Sequence, residues 1–539
     1  MLNGNQYWDK KIVSQMVLCN YKGRSVYTYA DARQNLYSDL YMSAQRAPDK
    51  PAIVAEDGTV TTYEEFLKYV QRFSQYLHYE WKVKKGDLVA SLLFNTLEFC
   101  VAFYAVAKLG GVFVPISTKC KIDEWNSMLK RLPVKLVLLE HLIKQHAKRI
   151  VEQNPGLDVV ISYQKGGFAP LYENRAYPED PYFETCWEDD VIIMFTSGTT
   201  AKSKAVVLSN FNVGNSVMTY EKILGITPAD KTIIATPIYH VTGLIALLGL
   251  FVHCGATIYL QSSFKPERVL EYAVKNEVTL IHASPTVFIM LLEKRNEFPN
   301  IPSLKTFACG SANIPPEVIS ELGKWLPNIS FRTIYGLTES SSPATIFPTD
   351  ASKSEKIGSS GCPIPGMCAK IIGENGRELP PGETGELLLF GSVILDRYYT
   401  SNDALSPDGW FNTGDIAKCD EDGYIYIVDR KKDMINRGGE KIWSNEVENT
   451  IAGMPGIAEV AVFGIPHKKY GEIPIAIVRE KAKGTVDAQK VREYVLKNIA
   501  KFKAPEHVVL VDEIPKTDSG KTDKKRLRLM YQDYEAENA

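Results

Sequence analysis

What this sequence lacks narrows its function first. Its nine cysteines (19, 100, 120, 186, 254, 309, 362, 368 and 419) are scattered, odd in number and never spaced C-x-x-C. That pattern argues against a disulfide framework and a cysteine-based zinc site, and it suits a reducing cytoplasm. Neither sign of charge dominates: 62 basic residues face 64 acidic ones, for a formal charge of −2. So balanced a chain gives no electrostatic case for nucleic acid or an anionic membrane as its main partner. The most membrane-like stretch, 241–260, is broken by Thr242, Gly243, Gly249, His253, Gly255 and Thr257. It is expected to be a buried helix followed by a strand. The first ten residues contain no basic region leading into an apolar one, so no secretory leader is expected. No repeat of 20–50 residues and no low-complexity tract is visible.

What is there is long and alternating. At 539 residues the chain exceeds one core, and two to four structural units are expected. Residues 1–45 are Tyr-rich and are read as an irregular wrapping. Thr62-Tyr63-Glu64-Glu65 fits a capping box opening a helix with Phe66, Val70, Phe73 and Leu77 on its apolar face. Strands at 88–94, 112–116 and 134–139 then alternate with helices at 97–109 and 124–132. A second alternating series runs from 233 to 334, with a helix at 244–252. This spacing predicts parallel sheets covered on both faces. From 357 to 428 short strands and Gly/Pro turns predict a small β-barrel or β-rich subdomain. The charge cluster Asp429-Arg430-Lys431-Lys432-Asp433 marks the expected boundary. Residues 1–430 form a large α/β domain on this reading, and 431–539 a small α+β domain.

The stretch from Met194 to Lys204 is the centre of the functional reading. It carries Thr196, Ser197, Gly198, Thr199, Thr200, Lys202 and Lys204 between two apolar runs. Backbone N–H groups, hydroxyls and a lysine can together cradle a polyphosphate; an ordinary polar hairpin loop has the same composition. Five further segments bear on the choice. Tyr335-Gly336-Leu337-Thr338-Glu339 follows an expected strand and offers an aromatic face, a close-approach glycine and a magnesium-binding carboxylate. Asp415 follows a glycine turn and suits two ribose hydroxyls. Tyr239 and His240 open the apolar stretch and suit an organic-acid pocket. Arg437-Gly438-Gly439-Glu440-Lys441 reads equally as a ligand-lining turn or a plain hairpin. Finally, 515–522 nearly spells a P-loop, but Pro515 stands where that motif needs glycine and only 17 residues follow Thr522. A lysine on a glycine-flanked tip describes it better.

Together these segments, in this order over about residues 45–530, resemble the adenylate-forming superfamily of acyl-CoA synthetases, luciferases and peptide-synthetase adenylation domains. The resemblance implies a large N-terminal domain of two α/β subdomains and a β-barrel, hinged to a small α+β domain. It also implies ATP, Mg²⁺ and coenzyme A as cosubstrates and cofactor. Thr196 to Thr200 and Lys204 match its phosphate loop, while Ala201, Ser203 and Ala205 depart from its Gly, Pro and Gly. Gly310, Ser311 and Ala312 match the adenine-flanking turn, and Tyr335, Gly336, Thr338 and Glu339 the adenine and Mg²⁺ segment. Asp415 and Arg430 match the ribose pair, Lys432 the hinge and Lys521 the catalytic lysine. Thr338, Glu339 and Lys204 join Lys521 in the expected catalytic group. Tyr239, His240, Gly310 and Leu337 are expected around the acid, and Gly438, Gly439 and Lys441 along the CoA path. The implied enzyme is a cytoplasmic acid:CoA ligase, monomeric or homodimeric. Leu244, Ile245, Leu248 and Ile346 favour an aliphatic or aryl acid. Two alternatives stay open: a ligase loading a carrier protein's phosphopantetheine, and a nucleotide-binding interaction protein with impaired catalysis.

Overall fold

The computed structural model describes residues 1–196, 204–517 and 521–534. Two sheets carry the large N-terminal part. The seven-stranded sheet runs Arg397–Tyr398, Ala205–Ser209, Asp190–Phe195, Val112–Pro115, Leu88–Leu92, Val134–Leu139, Asp158–Ile161. The nine-stranded sheet runs Cys362–Pro363, Thr345–Ile346, Ser330–Tyr335, Thr306–Cys309, Leu280–Ala283, Lys231–Ile234, Thr257–Leu260, Pro51–Val54, Val60–Thr62. Its inner strands are parallel. They are short apolar runs buried on both faces, as a parallel sheet under helices requires. One large apolar cluster spans both sheets and includes Phe99, Phe103, Phe113, Leu244, Leu248 and Ile334. The Thr62 cap is present in full: Glu65 N–H donates to Thr62 Oγ1 at 3.2 Å, and Thr62 N–H to Glu65 Oε2 at 2.8 Å.

A five-stranded antiparallel sheet follows, ordered Leu2–Asn3, Cys368–Ile372, Gly385–Phe390, Phe411–Cys419, Ile425–Arg430. Beyond it the C-terminal part has its own sheet. Gly471–Glu480 pairs antiparallel with Ile457–His467 and parallel with His507–Leu510. Apolar clusters cover both faces, one built on Val447, Val462, Val478 and Val491, the other on Phe463, Ile475, Ile477 and Leu527. The two parts touch at the chain crossing. Asp429 is 1% exposed, and its Oδ2 accepts from Ser444 Oγ at 2.8 Å and from the Asn445 N–H at 3.3 Å. It thus caps the helix Ser444–Ala452, whose own N-cap, Trp443, makes no side-chain cap bond.

One sequence expectation fails and another is refined. Residues 1–45 are not irregular. Met16–Tyr21 and Arg24–Tyr29 form a hairpin, turned by Lys22 (φ 47°) and Gly23 (φ 81°). Both φ values are positive, as a tight two-residue hairpin turn requires, but Lys-Gly is a weaker signal for it than Asn-Gly. Leu36–Arg46 is a helix capped by Asn35, which accepts from Ser38 N–H at 2.8 Å. The expected helix at 244–252 is present and is followed by the expected strand, but its first part, Thr242–Gly249, is a π-helix that becomes α-helical at Leu250–Cys254. The Leu250 N–H reaches back five residues to the Ile245 carbonyl. A segment apolar all round has no stripe from which to read residues per turn.

Candidate functional site

Thr196, Gly310 and Tyr335 lie at the C-terminal ends of strands in the two large sheets, where open α/β sheets bind ligands. Strand Ser330–Tyr335 ends in Tyr335, whose hydroxyl donates to Asp415 Oδ2 at 2.6 Å. Asp415 lies opposite Arg430 in the antiparallel register, is 2% exposed, and has its Oδ1 2.7 Å from Arg430 Nε. Burial pushes the Asp415 carboxyl up and Arg430 pulls it back. Gly336 follows. A Cβ there would stand 1.4 Å from the Ser342 carbonyl oxygen, so the chain passes itself at a distance only glycine permits.

Thr338 and Glu339 lie on the next short turn. The Tyr398 hydroxyl donates to Glu339 Oε1 at 3.2 Å, and Lys204 Nζ stands 4.4 Å from the centre of the same tyrosine ring. Burial raises Glu339, against the pull of Tyr398, Arg430 and Lys204. No basic group lies within ion-pair distance of it among the described residues. Such a sheltered hard-oxygen donor fits Mg²⁺, which takes one or two carboxylates and completes its shell with phosphate and water. The described residues hold no cluster of three ligating side chains, and this mode needs none.

Lys521 belongs to the same group although it comes from the C-terminal part. Burial lowers its pKa to about 8; Arg430 pushes the same way, and Asp415 and Glu339 oppose. Its backbone is fixed by Thr517, whose N–H donates to the Lys521 carbonyl at 2.7 Å and whose hydroxyl accepts from the Lys521 N–H at 3.2 Å. Burial also lowers Lys432.

Tyr239 and His240 sit at the entry to the π-helix, with ring centres 4.8 Å apart. Asn95 anchors the chain leading to them. Its amide donates to the carbonyls of Thr236 at 2.9 Å and Gln261 at 3.0 Å, and its oxygen accepts from Ile238 N–H at 2.9 Å. Gly310, Ser311 and Ala312 leave the strand Thr306–Cys309, with Gly310 N–H donating to the Ala283 carbonyl at 3.1 Å. Leu337 closes this side. Thr196 and Lys204 frame the polar loop through a 2.9 Å bond from Thr196 N–H to the Lys204 carbonyl. Ser197, Gly198, Thr199, Thr200, Ala201 and Ser203 lie outside the described residues. Gly438, Gly439 and Lys441 are placed elsewhere. They form a hairpin with Gly438 against Tyr470 and Lys441 paired with Glu374. Sequence reasoning missed Tyr398 and Asn95. Neither has a local signal, since each matters only through a partner far along the chain.

Comparison with known proteins adds the following. The profile for AMP-binding enzymes matches residues 40–399, and that for the AMP-binding enzyme C-terminal domain matches 446–521. A feruloyl-CoA synthase from an Amycolatopsis species is 30% identical over 506 residues, covering 92% of this chain and 99% of that protein. The long-chain-fatty-acid–CoA ligase FadD13 of Mycobacterium tuberculosis is 31% identical over 454 residues, covering 83% and 89%. Among solved structures, the O-succinylbenzoate coenzyme A synthetase of Bacillus subtilis with ATP and magnesium superposes with a TM-score of 0.80 at 29% identity, covering 92% of this chain and 99% of that one.

Proposed function

Because the chain belongs to the AMP-binding enzyme family, and on that footing is an ATP-dependent acid:CoA ligase, we propose that the residues above carry out both halves of its reaction. The convergence of Lys521, Asp415, Arg430 and Glu339 from two parts of the chain supports this. Tyr335 flanks the adenine, and Asp415 with Arg430 holds the ribose. Glu339 would hold Mg²⁺, which would supply neutralising charge for the triphosphate. An oxygen of the acid's carboxylate attacks the α-phosphorus, the bond from that phosphorus to the β-phosphate oxygen breaks, and pyrophosphate leaves. Lys521 spans carboxylate and α-phosphate and steadies the charge shifting between them. Lys204 holds the departing pyrophosphate.

The second half needs another arrangement. The C-terminal domain, from 431 onward, turns about Lys432, withdraws Lys521 and presents Gly438, Gly439 and Lys441. The CoA sulfur then attacks the acyl carbonyl, AMP leaves with the bonding pair, and the thiol proton passes to solvent. The acid is aliphatic or aryl, bound along Tyr239, His240 and the π-helix, as the fatty and aryl ligases among the relatives suggest.

The test is pyrophosphate release with ATP, Mg²⁺ and a panel of fatty and aryl acids, with and without CoA. Release that ends in a thioester is the expected result. Adenylate that CoA leaves intact would move the acceptor to a carrier protein's phosphopantetheine. ATP binding without any release would reinstate the impaired nucleotide-binding reading.

A further inference from the structure

A cleft of about 460 Å³ lies at the far edge of the nine-stranded sheet. Gly310 and Tyr335 stand at the C-terminal ends of that sheet's strands. Lys231 and Thr257, which line the cleft, instead open the strands Lys231–Ile234 and Thr257–Leu260. The floor of the cleft is sheet, with Val54 and Tyr259 paired in register. Its roof is the C-terminal end of the helix Pro266–Lys275. Tyr272, Lys275 and Asn276 share one face there by their spacing, and all three line the cleft. The Tyr272 hydroxyl donates to the Glu56 carbonyl at 2.7 Å, which fixes the ring.

The lining is sorted by polarity. Lys50, Lys231, Lys275 and Asn276 occupy the sheet edge. Tyr259 lies two residues beyond Thr257, roughly 7 Å further along the strand, with Val54 beside it. The rings of Tyr259 and Tyr272 meet edge to face with centres 6.3 Å apart. Val60 adds apolar wall. Tyr259 is 9% exposed, and its hydroxyl has no hydrogen-bond partner among the described residues.

None of the lining residues is acidic. Lys50 is half-buried and donates to the carbonyls of Pro228 and Gly255. No carboxylate lies within ion-pair distance of it among the described residues. Burial lowers its pKa against the pull of Asp230, and Asp230 is itself bound to Lys305 at 2.8 Å. Lys275 makes no ion pair among the described residues. Lys231 pairs at 3.1 Å with the exposed Glu277. It also donates to the Asn276 carbonyl at 3.0 Å, which covers part of the helix's negative end. Three ammonium groups against one carboxylate leave a surplus of two positive charges around an open space. Like charges held together repel, and an anion of matching charge relieves them. A carboxylate brings one negative charge, whereas a phosphate monoester brings roughly two at neutral pH.

We propose that this cleft binds an organic phosphate with a flat ring, a nucleoside or aryl phosphate. Its phosphate sits among Lys50, Lys231 and Lys275, and its ring lies along Val54, Val60 and the two tyrosines. The site is separate from the nucleotide site at Asp415, and it stands whether or not the chain is a ligase.

The test is calorimetric titration of the full chain with 1-naphthyl phosphate, 1-naphthol and inorganic phosphate, in the wild type, Lys275→Glu and Asp415→Asn. Lys275 is exposed, so Lys275→Glu should keep the wild-type melting temperature. The wild type is expected to bind 1-naphthyl phosphate at least about ten-fold more tightly than either half of the probe. Lys275→Glu should weaken that binding by about ten-fold or more, and Asp415→Asn should leave it unchanged. In the wild type alone, bound probe should slow acetylation of Lys50, Lys231 and Lys275 by acetic anhydride several-fold, read residue by residue by mass spectrometry. Binding that Asp415→Asn abolishes and Lys275→Glu spares places the probe in the nucleotide site and overturns the inference. So does inorganic phosphate binding as tightly as the naphthyl ester. Acetylation unchanged at all three lysines also overturns it, whatever the variants do.

Discussion

On the proposed mechanism Lys521 must be a cation to span two anions, and its burial sets the pH at which that fails. With its pKa lowered to about 8, the ammonium is intact below that value and lost above it. The kcat/KM for ATP, which reports the free enzyme, is expected to fall as pH rises through about 8; a profile flat to pH 9.5 would remove Lys521 from the first step. Lys521→Ala should slow pyrophosphate release by roughly a hundred- to a thousand-fold. It should leave thioester formation from supplied acyl-adenylate nearly unchanged, because the second step does not use the amine. Asp415→Asn leaves Arg430 without its buried partner. The Km for ATP should rise by about ten-fold or more, in an assay at saturating acid. These residues were legible in sequence because each sits in a short motif. Tyr398 and Asn95 were not, because each acts through partners far along the chain, Glu339 for the one and Thr236 and Gln261 for the other.

Between elements, one buried cluster pins the helix that continues the π-helix to its neighbours. His253, on the helix that continues the π-helix, has Nδ1 2.8 Å from Asp39 Oδ1 and Nε2 3.4 Å from Glu221 Oε2. Arg33 also reaches Asp39, at 2.7 Å. Burial opposes the charge on His253, but the two carboxylates prevail and raise its pKa to about 9. The ordinary value is about 6.5. Its contribution is therefore fully present below about pH 6.5 and lost as pH rises through about 9. The cluster should supply on the order of 3 kcal/mol over that window. Melting temperature measured from pH 6 to 10 should fall over this range in the wild type and lose that component in His253→Gln. Of the helices joined here, the one at 244–252 was foreseen; Asn210–Leu224 was not, nor was Leu36–Arg46, whose cap is a lone Asn with no capping-box partner. Most parallel strands were plain from alternation, but Pro51–Val54 and Asp158–Ile161 were not. The hairpin at Lys22-Gly23 was not, since its turn lacks the usual asparagine or aspartate.

For the molecule as a whole, the proposed mechanism requires the two parts that meet at Asp429 to separate between its two halves. Asp429 caps a helix on the far side of the expected hinge, and Lys432 lies in the short turn Lys431–Asp433 between them. Proline suits such a turn but fixes φ. Lys432→Pro is expected to keep adenylate formation within a few-fold and to cut thioester formation by a hundred-fold or more, with the two half-reactions measured separately. Equal loss in both would place the pivot elsewhere. A large part followed by a small one was readable from the change in element pattern along the sequence, but the cap was not, because charged runs in sequence usually mean solvent and Asp429 is buried.

The wide turn of Thr242–Gly249 has a consequence for descent. An α-helix in its place would need fewer residues for the same length, so removing one amino acid would let the segment relax into ordinary geometry. Every side chain before the deletion would swing by about a quarter of a turn relative to those after it. The lining of the acid pocket would be re-dealt at a stroke, with both sheets untouched. In lineages descended from a chain like this one, substrate range is therefore expected to track small gaps in this segment as closely as it tracks point changes.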